Sequence, residues 1–254
     1  MTTADPSTGS YGDELIDVYD LMYAGRSDVH LLPDFCRQLD PAAARVLEYG
    51  IGTGRLALPM ARSGYEVAGI DSSVAMLDVL SSRIQGLPVT GVHGDFRSTV
   101  ISEQFDIVLI LTNTLFMLPA LDEQRRVITQ AANNLTQTGK LVIETYDPQV
   151  YLERQSPFSV TVPLAPSMLL TDTVITDRRE CRVTQIHAVS RPDRIDTITE
   201  ESHWLTPREL DLVAESAGLQ LTHRYADFDR SPVTEHSRNF VSVYTLRTER
   251  DGAP

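Results

Sequence analysis

The stretch Val46-Leu-Glu-Tyr-Gly-Ile-Gly-Thr-Gly-Arg-Leu-Ala-Leu-Pro-Met-Ala61 constrains this chain more than any other, because it reads as a strand, a glycine turn and the start of a helix. Glu48 stands two places before the first of three alternating glycines, Gly50, Gly52 and Gly54. A second apolar run, Glu66-Val-Ala-Gly-Ile70, follows and ends on Asp71. Residues without a Cβ let backbone approach a bound group closely, and the helix behind them presents unpaired N–H groups. A carboxylate at the end of the second strand of such a unit is placed to accept from both hydroxyls of a ribose. Strand, glycine turn, helix, strand and acid together form a nucleoside-binding signature. A tight turn in an ordinary α/β domain is the competing reading, and Glu48 and Asp71 together weigh against it.

The glycine spacing narrows the nucleoside. A dinucleotide fold wants G-x-G-x-x-G, and counting from Gly50 the third position is Arg55. No G-K-[ST] follows, so a P-loop fails as well.

Composition sets the outer bounds. The 254 residues, 42% of them hydrophobic, suffice for one large domain or a domain with an insert. No apolar run approaches the roughly 18 residues of a membrane helix, and the N-terminus shows neither a basic nor an apolar signal region, which predicts a soluble, cytoplasmic protein with no membrane partner. Cys36 and Cys181 fit no metal or redox spacing and read as two reduced thiols, and no histidine pair has ligand spacing, so no metal is expected. A formal charge of −13 argues against nucleic acid, whose binding needs a basic surface that releases counterions. The expected partner is a small molecule.

Strands and helices alternate as in a doubly wound α/β sheet. The pattern predicts a helix over Asp28 to Leu39 and another over Thr53 to Arg62, with Pro59 making the latter irregular or kinked. Ser72 and Ser73 can cap a helix over Val74 to Ile84. Gly91 to Phe96 ends a third strand and Phe105 to Leu111 forms a buried fourth. A helix over Asp122 to Leu135 and a strand over Lys140 to Thr145 come next. Thr206-Pro-Arg-Glu209 is a capping box for a helix stopped by Gly218, followed by strands over Leu219 to Tyr225 and Phe240 to Leu246. Between Ser156 and Leu205 the period switches to the alternation of a β-meander. Its entry after the fifth strand suits a lid over a second ligand; a dimer-forming sheet is the other reading, and a homodimer stays open.

The E-x-G-x-G-x-G turn with Asp71 downstream resembles motif I and the second-strand acid of class I S-adenosylmethionine-dependent methyltransferases. The segment Tyr11-Gly-Asp-Glu-Leu-Ile-Asp-Val-Tyr-Asp-Leu-Met-Tyr23 is similar to bacterial amino-sugar N,N-dimethyltransferases and their small-molecule relatives in natural-product biosynthesis. The resemblance implies a mostly parallel, seven-stranded Rossmann-like sheet carrying an inserted antiparallel β-lid, with S-adenosyl-L-methionine as cofactor. It divides the chain into an N-terminal cofactor-covering segment (1–27), a core (28–155 and 206–247), the lid (156–205) and a tail (248–254). It implies that Gly50, Gly52 and Gly54, backed by Glu48, hold the methionine end and Asp71 the ribose. Ser72 and Met76 would flank the adenine, Asp95 and Phe96 would meet its amino group and face, and Thr112 and Asn113 would line the sulfonium side. Tyr11 matches a tyrosine that covers the methyl end, and Tyr19 lies two helical turns on. Met117 stands where the sugar enzymes carry a histidine, and no [DN]-P-P-[YF] follows the fourth strand, against a nucleic-acid or protein-amide acceptor.

Methyl transfer from a sulfonium is an in-line displacement helped chiefly by positioning in a dry site. Aromatic faces such as Tyr11, Tyr19 or Phe116 tolerate a positive sulfur. An amine acceptor needs only to lose a proton, a hydroxyl needs a base, and a carbon acceptor must be electron-rich. Nitrogen is favoured over oxygen and carbon. The candidate bases are Glu144, Tyr146, His187, His203 and His236, with Tyr146 and His203 foremost beside Tyr11 as catalytic residues. A non-methylating binder of the same nucleoside is the alternative, and a dinucleotide oxidoreductase is disfavoured by Arg55.

Overall fold

The structure, a computed structural model, describes residues 10–247, with side chains from Gly12 onward. Residues 1–9 and the expected tail at 248–254 lie outside the described residues. Two short helices, α1 (Ser10–Leu15) and α2 (Tyr19–Met22), lead into α3 (Asp28–Leu39), β1 (Arg45–Tyr49), α4 (Ala57–Arg62), β2 (Glu66–Asp71) and α5 (Val74–Arg83). Strands β3 (Val89–His93) and β4 (Phe105–Ile110) precede α6 (Leu121–Asn133), β5 (Leu135–Tyr146) and α7 (Gln149–Leu152). A meander follows, of β6 (Phe158–Ala165), β7 (Met168–Asp177), β8 (Arg182–Ser190) and β9 (Ile195–His203). The chain closes with α8 (Pro207–Ser216), β10 (Leu219–Tyr225) and β11 (Asn239–Leu246).

Seven strands form one sheet in the order β3-β2-β1-β4-β5-β11-β10, all parallel except β11, which runs antiparallel to both neighbours. The strand order reverses at β1, which pairs with β2 on one side and β4 on the other. Such a reversal opens a crevice at the carboxyl ends of these strands. Helices cover both faces, so β1 and β4 are apolar on both. Leu47, Tyr49, Val108 and Ile110 pack towards α6 and α8, while Val46, Ile107 and Leu109 pack towards α3 and α4. Each fully buried aliphatic side chain here contributes about 1.5–3 kcal/mol.

Two boundaries differ from expectation by four residues or more, the others by three or fewer. Helix α4 begins at Ala57, four residues late, because Gly54 at φ +79° keeps the turn out of helical geometry. Pro59 therefore falls in the first turn, where its missing N–H needs no partner. Strand β5 starts at Leu135, well before Lys140; its register against β4 jumps from Phe105–Leu135 to Ile107–Lys140, and Gly139 sits in that irregularity. The capping box of α8 forms, with Thr206 Oγ1 accepting the Glu209 N–H at 3.3 Å and the Glu209 carboxylate accepting the Thr206 N–H at 2.8 Å.

The meander is a separate four-stranded antiparallel sheet, ordered β6-β7-β8-β9. One face packs Leu170, Val189 and Ile198 against Leu15 and Val18, so the N-terminal segment is wedged between this sheet and the core. That segment is pinned to the core by two acids. The Ser73 hydroxyl donates to Asp13 at 2.5 Å, and the Thr53 hydroxyl donates to Asp20 at 2.8 Å.

Candidate active site

The glycine turn closes on Asp71. All three glycines take positive φ (+80°, +52° and +79°), a region that L side chains rarely adopt. A Cβ on Gly54 would lie 2.5 Å from Leu80 Cδ1, whereas one on Gly52 would meet nothing nearer than Asp71 Oδ2 at 3.9 Å. The turn is thus tight behind and open in front. Asp71 Oδ2 accepts the Gly52 N–H at 2.8 Å and Oδ1 accepts the Ser73 N–H at 2.9 Å. Burial pushes the Asp71 carboxyl up, partly opposed by these two N–H donors.

A cavity of about 340 Å³ runs from the carboxyl ends of β1 and β4 to the inner face of the meander sheet. At its core end lie Tyr19, Glu48, Gly50, Arg55, Thr112 and Asn113. Glu48 is buried, its Oε2 has no partner, and burial pushes its carboxyl up to about 8. Arg55 donates to Asp28 Oδ1 at 2.7 Å and to Thr112 Oγ1 at 2.9 Å, yet its buried Nε is unpaired. Burial raises the Tyr19 phenol to about 12.

Thr112 and Asn113 adopt left-handed backbone (φ +53° and +62°), adjacent strained residues of the kind surroundings must enforce. Glu144 Oε2 accepts the Thr112 N–H at 2.7 Å, and Asn113 Oδ1 accepts the Tyr146 N–H at 2.7 Å. The other Glu144 oxygen accepts from Arg26 and, at 3.0 Å, from Asn239. Glu144 is 1% exposed and so holds the loop instead of facing the cavity. Arg26 also donates to Asp28 at 2.7 Å. Burial alone would raise the Asp28 carboxyl, but Arg55 and Arg26 outweigh it and hold it low.

The other expected residues divide by place. Tyr146 lines the cavity, its hydroxyl 2.9 Å from Ser202 Oγ and its ring edge-on to Phe116 and Tyr151, each 5.0 Å away. Burial pushes that phenol far up, so it stays protonated. His187 also lines the cavity, whereas the strand alternation that turns Glu200 and Ser202 inward carries His203 to the opposite face. His203 pairs in register with Arg182 and does not border the cavity; burial lowers its imidazole. His236 is in an exposed loop beside Glu235. Ser72, Met76, Asp95 and Phe96 follow β2 and β3, outside this cavity. Met76 is buried beneath α1, Phe96 meets the Tyr49 ring at 5.9 Å, and the Asp95 carboxylate accepts from Arg97 Nε at 2.7 Å. Tyr11 belongs to α1, but its side chain lies outside the described residues.

The sequence reading missed Arg26, Asp28, Tyr151, Asp172, Gln185, Glu200 and Ser202. For the last four a signal exists, since they interrupt the apolar face of the meander strands at a period of two.

An open α/β sheet of this order, with a glycine turn and a strand-end acid at its switch point, is the architecture of a class I methyltransferase. The chain belongs to the S-adenosylmethionine-dependent methyltransferases of this class. Residues 46–139 match the family described as Methyltransferase domain. The CcbJ methyltransferase of Streptomyces caelestis is similar at 33% identity, covering 94% of this chain and 99% of that one with a TM-score of 0.86. Cypemycin N-terminal methyltransferase from Streptomyces is 29% identical over 94% of this chain and 98% of its own. A dTDP-4-amino-2,3,4,6-tetradeoxy-D-glucose N,N-dimethyltransferase from Saccharopolyspora spinosa is 26% identical over 83% of this chain and 87% of its own. Among the described residues no helix is long and apolar enough to cross a membrane.

The residues present fit the methyl donor. An unpartnered carboxylate oxygen of Glu48 and an unpartnered guanidinium N–H of Arg55 offer the two charges that a zwitterionic amino-acid end requires. The open side of Gly52 beside Asp71 leaves room for a sugar.

Proposed function

We propose that this methyltransferase alkylates an amine nitrogen of a small acceptor in specialised-metabolite biosynthesis, with the acceptor seated beneath the meander sheet. The observation that carries this reading is the state of His187. Its Nδ1 is 2.7 Å from an Asp172 oxygen and its Nε2 3.3 Å from a Glu200 oxygen. Burial opposes the charge, but the two carboxylates raise the imidazole to about 9, so at neutral pH it is already protonated. The Tyr146 and Tyr151 phenols are pushed up by burial and stay neutral. His187, Tyr146 and Tyr151 therefore take no proton from an acceptor, which leaves this wall only the carboxylates of Asp172 and Glu200, bases far too weak to ionise a hydroxyl yet able to relieve an ammonium of its proton. One similar enzyme is named an N,N-dimethyltransferase and another an N-terminal methyltransferase, which supports a nitrogen acceptor.

When bound, S-adenosylmethionine supplies a methyl group on a cationic sulfur. In our reading Glu48 and the backbone of Gly50, Gly52 and Gly54 hold its amino-acid end, and Asp71 accepts from the ribose hydroxyls. Ser72, Met76, Asp95 and Phe96 border the adenine. Thr112, Asn113 and the Tyr19 ring line the sulfonium side, Tyr11 covers the methyl end, and Tyr146 orients the acceptor. The test pairs amines with isosteric alcohols: tri-alanine against its lactoyl analogue, and methyl 3-amino-3-deoxyglucoside against methyl glucoside. Mass spectrometry should show a methyl gain on an amine and none on the alcohols. Methylation of alcohols alone, or of neither set, would overturn the reading.

Glu48 gives the donor site a pH signature. A carboxyl at about 8 is mostly protonated at pH 7 and must ionise to receive an ammonium. Affinity for S-adenosylhomocysteine should therefore rise up to tenfold per pH unit towards pH 8 and then level, with proton release on binding at pH 7. Calorimetry in buffers of different ionisation enthalpy reads this directly. Equal proton release by wild type and Glu48→Gln would refute the assignment.

A further inference from the structure

We infer that Asp172 and Glu200, held apart by His187, form the subsite that binds the acceptor's ammonium group, and that Glu200 takes its proton. This rests on the amine reading above and adds which residues recognise the amine.

The three residues sit on adjacent strands. Asp172 of β7 lies directly opposite His187 of β8, and Glu200 of β9 is diagonal to it. All three border the cavity. His187 is 3% exposed and has a carboxylate on each ring nitrogen, so both nitrogens donate and neither offers a lone pair to a metal or a substrate proton. Its role is to fix the two acids about one ring. Each acid spends one oxygen on the imidazole, and the second oxygen of each makes no hydrogen bond among the described residues. Two carboxylates against one imidazolium leave a net charge of about −1 in a half-buried wall, a costly arrangement without a cation to complete it. Beside them Gln185, Ser202 and the phenols of Tyr146 and Tyr151 are neutral, and Arg55, which also borders the cavity, is bonded to Asp28 and Thr112 at its core end. A protonated amine supplies the missing charge and donors for the two open oxygens.

Glu200 is the proton acceptor because its bond to the imidazole is the longer, 3.3 against 2.7 Å, leaving more of its charge uncommitted. The ammonium proton moves to the Glu200 carboxylate, giving a carboxylic acid and a neutral amine. The nitrogen lone pair then forms the N–C bond as the C–S bond breaks with its electron pair going to sulfur.

The test uses Asp172→Asn and Glu200→Gln in the full chain, with tri-alanine and methyl 3-amino-3-deoxyglucoside as amine probes. S-adenosylhomocysteine affinity and thermal melting serve as folding controls. Asp172→Asn should raise KM for the amine at least tenfold with kcat near wild type. Glu200→Gln should lower kcat/KM at least a hundredfold at pH 7, and recover most of it near the pKa of the probe amine, where no proton need be taken. The groups facing Glu200 in that range are Asp172 and His187 on the sheet, Tyr151 of α7 and Tyr146 of β5, and a parallel wild-type profile accounts for them. Wild-type kinetics in both variants, while the wild type methylates amines, would overturn the subsite and leave the amine reading standing. Failure of the wild type on every amine would remove both.

Discussion

Asp71→Ala is expected to weaken S-adenosylhomocysteine binding by two to four orders of magnitude while the protein stays folded. A hydrogen bond to a charged group is worth roughly 1.5–3 kcal/mol, and the ribose is expected to donate two of them to this carboxylate. The geometry adds a second loss, because the same oxygens accept the N–H groups of Gly52 and Ser73 at 2.8 and 2.9 Å. Removing the carboxylate leaves the glycine turn and the start of α5 without their common acceptor. Asp71→Asn, which keeps one carbonyl oxygen, should fall between wild type and Asp71→Ala. Titration calorimetry at fixed pH measures both. An affinity within threefold of wild type in folded Asp71→Ala would remove this residue from the donor site.

Glu144→Ala is expected to give the largest loss of stability. It leaves Arg26 facing a half-buried site with only Asp28 for company, and strips the acceptor from Thr112 N–H and Asn239. Breaking a buried ion pair from one side costs about 3–5 kcal/mol. For a chain of this size that corresponds to a fall in Tm of roughly 10 °C. Turnover should fall further than stability implies, since Thr112 and Asn113 keep left-handed backbone only while their partners hold them. Scanning calorimetry and assays well below the melting range separate the two effects. A Tm within 2 °C of wild type, on the same scale of about 2–4 °C per kcal/mol, would show that the network contributes little.

What the sequence disclosed was local. The glycine turn, Asp71 at a strand end, the Ser73 cap and the Thr206–Glu209 box each depend on residues within a few positions, and each is found where those residues stand. The Arg26–Glu144 bond joins residues 118 apart and the Arg55–Asp28 bond residues 27 apart, separations that no local pattern encodes. Arg55 was legible only as a break in a dinucleotide fingerprint; its part in a buried charge network needed the fold. In the meander, alternation announces strands but not which face turns inward. His203 and Ser202 exchange roles on that single parity, and the structure gives the inward position to Ser202.

The two sheets share no hydrogen-bond ladder. A change in β6 to β9 therefore reaches the seven strands only through side-chain contacts such as Tyr146–Ser202 and Gln124–His203, and not through a strand register. Exchanging the meander, about a fifth of the chain, is accordingly expected to leave the glycine turn and the acid at the end of β2 where they stand.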